Sequence, residues 1–136
     1  EITKAESLKK KNKENYQILL VEDNFLNQKF AIATLSKAGY KVDLAENGKI
    51  ALEKFQKKSY DLVLMDINLP LMDGLEATKK IRLYEKQKKL KPSKIAAITA
   101  YVLEHNKEQC LTAGIDKYLT KPFLPQELVA LVEELL

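Results

Sequence analysis

Leu62-Val63-Leu64-Met65-Asp66 decides the fold. Four apolar residues run on without polar alternation and end in a carboxylate, as in a parallel strand covered by helices on both faces. Ile18-Leu19-Leu20-Val21 repeats the pattern and ends in Glu22-Asp23, and Ile95-Ala96-Ala97-Ile98 ends in Thr99-Ala100. Two shorter runs, Val42 to Ala45 and Lys117 to Thr120, complete five strands, the last leading into Lys121.

Helical patterns fill the gaps. One is expected from about Asn27 to Ala38, with Leu26, Phe30 and Thr34 spaced by four and Gly39 as its stop. After the Asn47-Gly48 turn a second runs to about Lys57, burying Ile50, Ala51 and Phe55. A third follows Gly74 with Leu75, Thr78 and Ile81 on one face, and a fourth ends near Gly114. Pro125 suits the first turn of a fifth, whose stripe is Leu128, Leu131, Val132 and Leu135. Strands and helices alternating in this way predict an α/β fold, a flavodoxin-like (βα)5 doubly wound parallel sheet with strand order 2-1-3-4-5.

Composition sets the outer limits. The chain has 136 residues, 46% hydrophobic and 31% charged, enough for one domain with a real core. Residues 1–16 hold five lysines and three glutamates and read as a charged linker, with the domain proper over 17–136. A start without methionine fits a piece of a longer protein. Lys86 to Lys94, with five more lysines, reads as a loop at the sheet edge far from the strand ends. Outside these two segments the net charge of +4 turns acidic, and no aromatics interleave the lysines, so nucleic-acid binding is not expected. No apolar run approaches the roughly 18 residues that cross a bilayer. The domain reads as cytoplasmic and without membrane contact of its own, although a parent chain could be membrane-anchored. Cys110, the single cysteine, reads as a packing residue of a helix.

Parallel strands bring their C-terminal ends to one edge, where open α/β sheets bind ligands. In the expected order Glu22 and Asp23 lie beside Asp66. Two like charges about 4 Å apart at an effective dielectric near 20 repel by roughly 4 kcal/mol, so three carboxylates need cationic compensation. Mg²⁺ suits such a hard oxygen site, and Lys121 can reach the same spot. An aspartate beside a divalent cation and a lysine is arranged to attack phosphorus, and Thr99 offers a hydroxyl to a phosphoryl oxygen.

These motifs resemble the receiver domains of two-component response regulators over about Gln17 to Leu136. The resemblance rests on Leu20-Val21-Glu22-Asp23-Asn24, Met65-Asp66-Ile67-Asn68-Leu69-Pro70-Leu71-Met72-Asp73-Gly74, Ile98-Thr99-Ala100 and Asp116-Lys117-Tyr118-Leu119-Thr120-Lys121-Pro122. It implies that Asp66 accepts a phosphoryl group from a phosphohistidine of a histidine kinase or histidine phosphotransfer protein. Glu22, Asp23, Asp66 and the backbone carbonyl of Asn68 would bind Mg²⁺, for which Mn²⁺ could substitute. Lys121 would contact the phosphoryl group, while Thr99 and Tyr118 would switch, altering an output surface of the fourth helix, fifth strand and fifth helix. Leu69 stands where the family often has methionine, and Asn68 and Tyr101 occupy positions that tune phosphoryl lifetime. A parent of the hybrid histidine kinase type fits a linker before the domain.

Other readings follow from the same residues. Asp73-Gly74 suits turn chemistry rather than metal binding, Lys121-Pro122 could be a cis peptide that aims the lysine, and His105 reads as solvent-facing. A receiver fold that binds partners without phosphate is a second function class. A Mg²⁺-dependent phosphatase with an aspartate nucleophile is a third, disfavoured because Asn68 stands where a second catalytic aspartate is usual. The domain is thus not a conventional turnover enzyme but would catalyse its own phosphorylation and dephosphorylation.

Overall fold

A computed structural model describes residues 12–67, 69, 72–100 and 104–136, with backbone alone for 104–107. Five parallel strands, β1 (Ile18–Val21), β2 (Val42–Ala45), β3 (Leu62–Asp66), β4 (Lys94–Thr99) and β5 (Lys117–Thr120), form one sheet in the order β2-β1-β3-β4-β5. Helices α1 (Phe25–Lys37), α2 (Gly48–Lys57), α3 (Gly74–Lys88), α4 (Glu104–Ala113) and α5 (Pro125–Leu135) alternate with them. This is the expected fold, and β2 and β5 have the expected bounds.

Strand periodicity divides the apolar runs between two cores. Leu19, Val21, Val63, Met65, Ile95 and Ala97 face α2, α3 and α4, meeting Ala51, Phe55, Ala77, Ile81 and Cys110. Ile18, Leu20, Leu62, Leu64, Ala96 and Ile98 face α1 and α5, meeting Ala31, Leu35, Leu128, Leu131 and Val132. Every residue of β1 and β3 is buried, which explains why those strands read as unbroken apolar runs. Cys110 is a packing residue, and burial raises its thiol pKa.

The structure revises the sequence reading at several places. The buried face of α1 is Ala31 and Leu35, not Leu26 and Phe30, which stand 77% and 41% exposed. Small Ala31 lets the helix sit close to the sheet, while bulkier neighbours turn outward. Helix α1 also starts two residues earlier than expected, because the Asn24 side chain caps it by accepting from the Asn27 N–H at 3.0 Å. Ile50 is only partly buried, and its N–H donates to the Asn47 side chain at 2.9 Å, making Asn47 the cap of α2. The lysine-rich stretch is partly helical: α3 continues through Lys88, with Lys86 and Lys88 in its last turn, where cations favour the helix dipole. Tyr16, at the end of the charged segment, is buried against the α1/α5 face. Residues 1–11 lie outside the described residues.

Arg82 ties the far end of α3 to its neighbours. Its guanidinium donates to the Gly114 carbonyl at 2.8 and 3.0 Å, the Ser93 carbonyl at 2.7 Å, Glu85 at 2.8 Å and Asp116 at 3.0 Å. Buried Glu85 in turn accepts from the Ser93 N–H at 2.7 Å. This planar fork fixes the start of β4 and the end of α4 together. Among the described residues, no helix is long and apolar enough to cross a membrane.

Candidate functional site

Strand order reverses between β1 and β3, which run in register with Val21 opposite Met65. The next residues, Glu22 and Asp66, therefore emerge side by side at the switch point of the sheet. With Asp23 they offer three carboxylate oxygens, all within 4.8 Å of one another. Glu22 and Asp66 are buried and Asp23 is exposed, so the cluster has one open side.

Lys121 reaches in from the end of β5. Its Nζ donates to Glu22 Oε1 at 2.7 Å and lies 3.4 Å from Asp66 Oδ2. Pairing of Thr99 with Thr120 sets this reach, and the Lys121 N–H donates to the Thr99 carbonyl at 2.7 Å. The Lys121-Pro122 peptide is cis. Burial works to raise the Glu22 pKa, but the hydrogen bonds from Lys121 and from the Asn24 N–H hold it below its usual value. For Lys121, burial works to lower the pKa; the Glu22 hydrogen bond and the Asp66 charge outweigh it and raise the value. Both groups are therefore charged at neutral pH, and the carboxylates exceed the ammonium by two charges. A small divalent cation with oxygen preference matches that excess and donor set.

Loop contacts hold the first carboxylates in place. Glu22 Oε2 accepts from the Asn24 N–H at 3.1 Å, and Gln28 Nε2 donates to the Glu22 carbonyl at 2.8 Å. Gln28 was not legible as a site-supporting residue, since nothing in sequence spacing ties a helix glutamine to a backbone carbonyl six residues earlier. Asp73 does not join the cluster: it caps α3, accepting from the Glu76 N–H at 2.8 Å, in keeping with turn chemistry. Thr99 is buried at the end of β4 next to the pocket, whereas Tyr118 lies on β5 and is 41% exposed. The carbonyl of Asn68, Tyr101 and the side chain of His105 lie outside the described residues.

Apolar side chains crowd one side of this edge. Phe25 and Leu26 begin α1 just after the Glu22 loop, and Leu124 follows Lys121 by three positions; they are 54%, 77% and 56% exposed. Phe30 is also exposed and packs its ring on Phe123 at 5.7 Å between centroids.

The fold and the pocket define a receiver domain, and the chain belongs to the response regulator receiver domain family, which matches residues 18–133. Among curated proteins it is 40% identical over 120 residues to hybrid signal transduction histidine kinase M of Dictyostelium discoideum, covering 87% of this chain and 5% of that one. It thus spans a small fraction of that relative's length. The receiver domain of the sensor histidine kinase PA1611 from Pseudomonas aeruginosa PAO1, solved with a magnesium ion coordinated in its active-site cleft, is 40% identical. That match has a TM-score of 0.77 and covers 88% of this chain and 95% of that one. The receiver domain of Saccharomyces cerevisiae Ssk1, solved in complex with the histidine phosphotransfer protein Ypd1, is 34% identical with a TM-score of 0.81, covering 92% and 89%.

Proposed function

We propose that Asp66 accepts a phosphoryl group from a phosphohistidine of a histidine kinase or histidine phosphotransfer protein. One observation carries the reading: three carboxylates and one ammonium converge at the C-terminal edge of the sheet, with Asp66 Oδ2 3.4 Å from the Lys121 ammonium. A carboxylate oxygen of Asp66 forms the new O–P bond as the P–N bond breaks, and its electron pair returns to the imidazole of the donor. Lys121, oriented by Glu22, holds positive charge where the phosphoryl oxygens come to lie. The Thr99 hydroxyl would donate to a phosphoryl oxygen, and Tyr118, now outward, would turn in behind it. Glu22, Asp23 and Asp66, with the carbonyl of Asn68, would hold Mg²⁺, and Mn²⁺ suits the same oxygen donors. When bound, the ion offsets charge on the phosphoryl oxygens. The match to hybrid signal transduction histidine kinase M supports a hybrid histidine kinase as parent chain.

Acetyl phosphate with Mg²⁺ tests this reading. Intact-mass measurement is expected to show one added phosphoryl group, absent when the metal is chelated; an unmodified mass under both conditions would overturn the assignment. Lys121→Ala should retain Mg²⁺ binding in calorimetry while phosphorylation slows by about 10²- to 10³-fold, as for other single charge-stabilising donors. Buried Glu22, without its ammonium, should then titrate higher by NMR. Loss of metal affinity as large as that of Asp23→Ala would contradict the role given to Lys121.

The exposed apolar rim suits a protein donor, since a phosphohistidine must be brought within bonding distance of a buried carboxylate. Leu26→Asp is expected to slow transfer from a phosphorylated histidine phosphotransfer protein by more than about tenfold. Labelling by acetyl phosphate should stay unchanged, and equal slowing in both assays would refute a docking role.

A further inference from the structure

The opposite edge of the sheet, where the strands begin, carries a second feature that phosphoryl transfer does not use. An open groove of about 580 Å³ lies between the end of α2 and the connection from α3 to β4. Lysines 57, 58, 91 and 94 line it, and Lys86, Lys88 and Lys89 lie on the helix end that leads to it. Lys58 pairs with Asp43 at 2.9 Å, but among the described residues no ion pair is found for Lys57, Lys86, Lys88, Lys89, Lys91 or Lys94. Such a cluster repels itself and is relieved by an anionic partner. Apolar groups share the lining: Leu90, 44% exposed, with Pro92, Leu135 and Leu136, while Asp61 is the one acidic side chain among the described residues that line it.

We propose that this groove docks an acidic polypeptide segment carrying an apolar anchor residue. Charge complementarity selects the sign of the partner, and the apolar part of the lining selects its form. A single-stranded nucleic acid would need exposed rings to stack on, and a duplex, held by its phosphates alone, would leave the apolar groups of the groove unpartnered. Here Phe55 and Tyr60 are buried against each other with centroids 6.3 Å apart, and the Tyr84 hydroxyl donates to the Gln56 carbonyl at 3.2 Å. A flat membrane surface would leave the concave part of the groove unfilled. Docking there leaves the Asp66 edge free, so the receiver can be held by one end and phosphorylated at the other.

The test uses the 136-residue chain and a synthetic peptide of alternating glutamate pairs and leucines as probe. In NMR titration the amides of Lys57, Leu90, Lys91 and Lys94 are expected to shift. Affinity should fall at least about tenfold in the Lys91→Glu/Lys94→Glu double variant, and severalfold when salt is raised from about 0.05 to 0.3 M. Acetyl phosphate labelling of the same variant should match wild type, which shows that it is folded and separates this outcome from failure of the phosphoacceptor assignment. Three results would overturn the proposal: no shifts in the groove, equal affinity in the double variant, or tighter binding to duplex DNA or phosphatidylserine vesicles than to the peptide.

Discussion

Asp66→Asn is expected to abolish the phosphoryl adduct, with initial labelling by acetyl phosphate and Mg²⁺ reduced at least about a thousandfold. The substitution keeps the shape of the side chain and removes its charge and its nucleophilic oxygen. Glu22 still accepts from Lys121 at 2.7 Å, so the lysine keeps its main anchor and the fold should persist. Loss of labelling can then be read as chemistry rather than unfolding, provided thermal melting and amide spectra remain native. The alternative acceptor is Asp23, whose carboxylate shares the cluster and is the exposed member. Undiminished labelling of Asp66→Asn, mapped by peptide mass to Asp23, would move the phosphoacceptor to that residue. Loss of an attraction gives a second readout. With one carboxylate fewer beside it, the Lys121 ammonium loses the Asp66 charge that helps raise its pKa, and the value should fall.

What the sequence discloses here follows from the range over which each determinant acts. Strands β1 and β3 are buried on both faces, so burial alone writes them as unbroken apolar runs; β1 has the bounds read from sequence, and β3 extends one residue past its apolar run, through Asp66. Parallel order then brings Glu22, Asp23, Asp66 and Lys121 to one edge, because register between neighbouring strands follows from their apolar segments. Helix α1 was less legible. Its apolar residues exceed what the core needs, and only contact with the sheet distinguishes Ala31 and Leu35 from the outward Leu26 and Phe30. Two of the carboxylates' supports, Gln28 and the Asn24 N–H, act through backbone atoms that leave no periodic trace. Arg82 is similar, because its partners Ser93 and Gly114 are 11 and 32 positions away and contribute carbonyls that any residue could supply.

Gly74 illustrates the same limit and carries the second large prediction. In sequence, Asp73-Gly74 reads as turn chemistry that shapes the loop. In the structure Gly74 opens α3, and its need for glycine comes from close approach to another backbone. A Cβ there would lie 2.2 Å from the Asp66 carbonyl oxygen and 2.7 Å from the Ile67 Cα, distances at which something must move. Neither atom belongs to a flexible side chain, and the Gly74 N–H already donates to the Ile67 carbonyl at 2.9 Å. An ordinary helix glycine replaced by alanine would gain roughly 0.5–1 kcal/mol. Here the sign should reverse, with Gly74→Ala destabilising by about 3 kcal/mol, at the upper end of overpacking costs. Chemical denaturation measures this directly. The displaced backbone is that of the phosphoacceptor, so acetyl phosphate labelling of the still-folded fraction should slow as well. Unchanged or increased stability would mean that α3 does not press on the end of β3 as described. A loss of stability with wild-type labelling would place the strain in the helix and leave Asp66 where it is. The coupled loss expected here would show that the start of α3 positions the carboxylate that the pocket is built around.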